Sequence, residues 1–159
     1  MSNPENIEER LVIATDAFAA LIAADPYFVG VPVLTERKGD ISAMIIQALS
    51  KLGLCVVVVA PDGDQLTRTG NELSLRVRLV AQISEQYLIN NGATGSKKPA
   101  LAATTRVMKA VDRKPNGLDV GRHITDLNEF TLDPDQPFKL TPDKGFIVYQ
   151  VTAFTTIEL

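Results

Sequence analysis

Leu73-Ser74-Leu75-Arg76-Val77-Arg78-Leu79-Val80-Ala81-Gln82-Ile83-Ser84 carries the strongest local signal in the chain. Apolar side chains recur at every second position from Leu73 to Ile83, with Ser74, Arg76, Arg78, Val80 and Gln82 between them. A period of two belongs to a strand with one buried and one mostly polar face. Upstream, residues 54–60 form a continuous apolar run, Leu-Cys-Val-Val-Val-Val-Ala, as expected of a strand covered on both faces. Pro61-Asp62-Gly63-Asp64 supplies turn chemistry after it, so the two runs are expected to pair antiparallel.

Helical periodicity surrounds this pair. Asn3-Pro4 is a capped helix opening, and Ile7, Leu11, Ala14, Phe18, Leu21 and Ile22 fall at three- and four-residue spacing until Asp25-Pro26 ends the pattern. Residues 31–35 are short, β-branched and interrupted by Pro32, which suits an edge strand because proline donates nothing to a ladder. A second helix is expected from Gly39-Asp40, with Asp40 as N-cap, a stripe of Ile41, Met44, Ile45, Ala48, Leu49 and Leu52, and Gly53 as left-handed stop. Residues 90–98 read as a mobile polar loop, and a third helix runs from Pro99 to about Arg113 with Leu101, Val107, Met108 and Val111 toward the core. The pattern then predicts a strand over 123–132, a Pro- and Asp-rich loop over 133–143, and a final strand over 146–157. That last strand is apolar on both faces, so it is expected to be covered internally or by a neighbouring subunit.

The order α-β-α-β-β-α-β-β predicts a single α+β domain over residues 1–159, with a mixed, mainly antiparallel sheet and helices packed on it. At 159 residues, 45% hydrophobic and 22% charged, the chain is rich enough to bury a core. A net charge of −3 gives no global attraction to phosphate backbones, which argues against nucleic acid as primary ligand. The acidic opening and the lack of an 18-residue apolar stretch predict a cytoplasmic chain that is neither secreted nor membrane-spanning.

Groups that carry chemistry are few. The one cysteine, Cys55, sits inside the apolar run and is expected to be buried, and the one histidine, His123, has no nucleophile motif beside it. One Cys and one His do not make a zinc site, and Asp62-Gly63-Asp64 is too short for a calcium loop and reads as a turn. Gly92-Ala93-Thr94-Gly95-Ser96-Lys97-Lys98 departs from a phosphate-binding loop, with two residues rather than four between the glycines and Ser96 before the lysines. No catalytic residue, metal or cofactor is therefore expected. Arg76 and Arg78, adjacent on the polar strand face, and the loop lysines Lys97 and Lys98 are the candidate interface residues; for the arginines the alternative is pairing with the chain's own carboxylates.

Residues 25–40, Asp-Pro-Tyr-Phe-Val-Gly-Val-Pro-Val-Leu-Thr-Glu-Arg-Lys-Gly-Asp, with the helix and apolar run after them and the later alternating strand, resemble the small tail proteins of long-tailed bacteriophages and prophages. The likeness is to the tail-terminator or tail-completion group and its minor-tail relatives. In element order it covers most of the chain, and in local wording residues 25–61. It implies a non-catalytic, commonly hexameric ring subunit that caps the tail tube, touches tube and head-neck proteins, and resides in the virion tail after assembly in the host cytoplasm. The alternatives are a neck or head-to-tail adaptor, and a small nucleotide-binding protein using the Lys97-Lys98 loop.

Overall fold

The computed structural model describes residues 7–36, 40–118, 129–141 and 145–159. The expected opening at Asn3-Pro4, Gly39, His123 and the first part of the strand expected over 123–132 lie outside the described residues. Helix α1 (Ile7–Ala23) is followed by a 3-10 turn at Pro26–Phe28, strand β1 (Val33–Thr35), helix α2 (Ile41–Lys51) and the long strands β2 (Leu54–Thr69) and β3 (Glu72–Glu85). After them come a one-turn helix α3 (Tyr87–Asn90), helix α4 (Ala100–Val111) and strands β4 (Thr131–Leu132), β5 (Phe138–Leu140) and β6 (Ile147–Glu158).

The sheet runs β1-β2-β3-β6-β4, with β5 also on β6. Among the described strands β1 and β2 are parallel and the β2–β3, β3–β6, β4–β6 and β5–β6 pairs antiparallel, which makes the fold α+β with a mixed sheet, as the element order implies. The final strand is shielded on both edges, by β3 on one side and β4 and β5 on the other. The short proline-preceded strand β1 is an edge.

Alternation in β3 sorts the faces. Leu79, Ala81 and Ile83 are fully buried with Val56, Val58, Val151 and Ala153 from neighbouring strands, and α1 and α4 lie over them. Phe18 of α1 meets Phe130 edge-on at 5.0 Å within this core. Full burial of such side chains contributes roughly 1.5–3 kcal/mol each. On the opposite face, Ala48 of α2 closes over Leu34, Cys55 and Val57 at the β1–β2 side. Asp40 caps α2 by accepting from the Ala43 amide, and Gly53 follows it at φ 72.

Several local expectations are corrected. Pro61-Asp62-Gly63-Asp64 is not the hairpin turn: β2 continues to Thr69 through two bulges, between Val59 and Asp62 and between Gly63 and Gln65. A bulge absorbs an extra residue and leaves proline outside the regular ladder. The chain reverses at Gly70-Asn71, where Gly70 has φ 62 as a tight hairpin requires at its first central position. The loop over 90–98 is pinned rather than free: Ser96 donates to Leu52, Lys97 to Asn90 and the Asn90 side chain to Lys98. The stretch expected as loop over 133–143 contains β5. Leu101 is 55% exposed, because the core face of α4 passes through Ala100, Ala103, Thr104, Val107 and Val111. Met44 is exposed too, since α2 has only the narrow β1–β2 strip to cover.

Candidate functional site

Catalytic candidates are set by burial first. Cys55 is fully buried, and desolvation pushes its thiol up to about 11, so the reactive thiolate is suppressed at neutral pH. Among the described residues, no three His, Cys, Asp or Glu side chains converge to hold a metal ion.

Arg76 and Arg78 lie on the open sheet face and are engaged within the chain. Arg76 grips Asp64 with two bonds of 2.8 and 2.7 Å and stacks on the Phe154 ring at 4.2 Å. Its guanidinium holds the Asp64 carboxyl below the ordinary carboxylate value. Arg78 faces Asp62 at 3.3 Å, without hydrogen-bond alignment at its Nε. The first bulge places Asp62 opposite Arg78, so Asp62-Gly63-Asp64 supplies counter-charges for this arginine pair. Beside it a polar groove of about 380 Å³ is floored by Val80, Gln82, Gln150 and Thr152 and flanked by Asp133 and Lys139.

Lys97 and Lys98 sit at the opposite end of the sheet from the Gly70 turn. Lys98 donates to the Val29 carbonyl at 3.0 Å and lies 5.5 Å from the Tyr27 ring centre, which turns its charge inward. Lys97 is exposed and held at φ 59, a left-handed conformation that side-chain-bearing residues adopt at a cost. The loop's donors and carbonyls bond to one another and to α2, with Thr94 donating to Lys51 at 3.1 Å. The backbone amides of Gly92, Gly95, Ser96, Lys97 and Lys98 are bonded to oxygens of the chain itself and so do not form a phosphate cradle.

Three features were not anticipated from the sequence. The first is an arm: past β1, which pairs with Val56, Val57 and Val58, no described strand lines the outer edge of β2, although β3 and then β6 flank it on the other side, and residues 61–71 are all exposed, Leu66 at 62%. The second is Glu85, a buried carboxylate that accepts from the Ala100 amide at 2.7 Å and caps α4, whose own N-cap residue is Pro99. The third is a cleft of about 280 Å³ between the start of α1 and the β1–β2 edge. Leu11, Val12 and Ala60 make its apolar wall, and Glu8, Asp16 and Glu36 stand around it. Thr35 also lines it, and its hydroxyl is buried without a hydrogen-bond partner. A cleft drawn from three separated segments leaves no spacing signature, although the unbroken strand propensity of residues 65–69 was a readable sign of the arm.

No protein-family model matches the chain, and no curated protein matches it in sequence.

Proposed function

We propose that this chain is a non-catalytic structural subunit of a long-tailed phage or prophage tail, a tail-terminator-like protein that joins copies of itself into a ring, caps the tail tube and contributes to head–tail joining. The observation that carries this reading is the β2–β3 arm. Among the described residues its outer strand edge is unpaired from residue 59 to 69, and it carries the exposed Leu66 side chain. β6 backs β3 as far as Ser74, so the free side of the arm is the outer edge of β2; open edges recruit further strands, and such an edge suits burial against a neighbour. Ring closure needs one surface to meet a different surface on the next copy, and the sheet supplies distinct ends. The self-association, tube contact and tail location follow from the resemblance; the arm supports the first of them.

Light scattering after size-exclusion chromatography, with electron microscopy of the same fractions, tests the reading. Ring-shaped oligomers that bind tail tubes are expected. A strict monomer at high concentration that leaves tubes uncapped refutes it. Capture by a connector protein in place of the tube transfers the subunit to a neck-adaptor role.

A further inference from the structure

The loop lysines and the cleft carboxylates stand at different places along the sheet. From residue 86 to 111 the chain carries Lys97, Lys98, Arg106 and Lys109 and no acidic residue. Its loop, with Lys97 and Lys98, gathers at the end marked by the Leu54, Glu85 and Ile147 rung, as Lys98 contacts Val29 and Thr94 contacts Lys51, while α4 runs from that rung along the sheet to Leu132. β1 runs parallel to β2, so Thr35 and Glu36 lie toward the other end, beside the acidic cleft.

The cleft has a chemical preference. Its ionisable described side chains, Glu8, Asp16 and Glu36, are all carboxylates, and Leu11 and Val12 supply an apolar wall. The independent mark of an occupant is Thr35, which lines the cleft: it is 2% exposed, and its buried hydroxyl has no partner. A buried polar atom left unpaired is costly, and such atoms nearly always have a partner in the working state of a protein. An aliphatic stem ending in an ammonium meets all three conditions, with methylenes on the apolar wall, charge among the carboxylates and an N–H donated to the Thr35 oxygen.

We infer that the occupant is Lys97 of a second copy of this chain. Lys97 stands exposed in the loop in a left-handed backbone conformation, whereas the neighbouring Lys98 ammonium is already engaged by Val29. The two surfaces lie at opposite ends of one sheet, so the contact joins different patches on successive copies, the geometry that builds a ring. This rests on the ring-subunit reading and names two surfaces that meet in it.

Sedimentation velocity over a concentration series tests it on the full chain and its Lys97→Glu, Asp16→Lys, double charge-swap and Thr35→Val variants. Each single reversal is expected to weaken self-association roughly tenfold or more, and the double swap to restore it to within about threefold, as for charge pairs that face each other. Thr35→Val is expected to weaken association while raising the unfolding midpoint of the dissociated chain. Association that persists unchanged in both single reversals, or a double swap that restores nothing, overturns the lysine contact and leaves the ring reading standing. A wild-type chain that stays monomeric overturns both. Saturable binding of n-butylammonium in the cleft, with association unaltered by Lys97→Glu, reassigns the cleft to a small amine.

Discussion

Replacing Glu85 tests whether the sheet starts the helix that covers it. Glu85 ends β3, is 4% exposed, and accepts from the Ala100 amide at 2.7 Å. Pro99, the residue in the N-cap position of α4, makes no side-chain cap bond, so the carboxylate takes over that role from across the fold. A hydrogen bond to a charged group is worth about 1.5–3 kcal/mol, and a negative charge near a helix N-terminus adds about 0.3–1 kcal/mol. Glu85→Ala removes both and strands a buried amide, which sets its cost at about 2–4 kcal/mol. At about 2–4 °C per kcal/mol for a domain of this size, the unfolding midpoint falls by roughly 4–16 °C.

Glu85→Gln retains an acceptor of the same length and loses only the charge, so its expected cost is about 1–2 kcal/mol. Calorimetry or denaturant unfolding of the three proteins gives the ordering, and hydrogen exchange locates it: the Ala100 amide loses protection first. The Tyr27 hydroxyl supplies a second readout. Its pKa is raised by burial and next by the Glu85 charge, so Glu85→Gln lowers it. Equal stability of the Ala and Gln variants removes the charge from the explanation, and a cost below about 0.5 kcal/mol for Glu85→Ala removes the cap, since the loss of an ordinary N-cap costs at least that much.

Gly53→Ala and Gly95→Ala each drive a Cβ into the Asn90 backbone and are expected to cost more than about 3 kcal/mol, whereas Gly70→Ala meets open space and pays only the strain of φ 62, about 1 kcal/mol; urea midpoints separate the two classes. Asp25 is held below its ordinary 3.8 by the 2.8 Å bond from Arg106, so its contribution to stability is present above the unfolded value and is lost as pH falls through the folded one. An Asp25→Asn variant is accordingly expected to show a shallower loss of midpoint below about pH 4 than the wild type. Buried Cys55, with its thiol near 11, is expected to react with a disulfide reagent only through opening of the fold; fast labelling of the native chain at pH 8 refutes its burial.

What was legible in the sequence follows the range of the forces involved. β3 and α2 declare themselves because their partners lie within one periodic stretch: alternation sorts Leu79, Ala81 and Ile83 from Arg78 and Gln82, and Asp40 with Gly53 brackets a single helix. Pro61-Asp62-Gly63-Asp64 misleads because the same residues serve a turn or a bulge, and the choice is made by the cross-strand pairing of Asp62 with Arg78. Burial of Cys55 was readable from its apolar neighbours, while burial of Glu85 was not, since the amide that compensates it lies fifteen residues away at the start of α4. The same reasoning applies to the cleft. Thr35 looks like an ordinary strand residue until α1 crosses it, and Lys97 looks like one more loop charge until its neighbour Lys98 is turned inward. The paired arginines stood out in the sequence because they are two residues apart on one strand, whereas the cleft and the unpaired hydroxyl are made by distant meetings and emerged only from the fold.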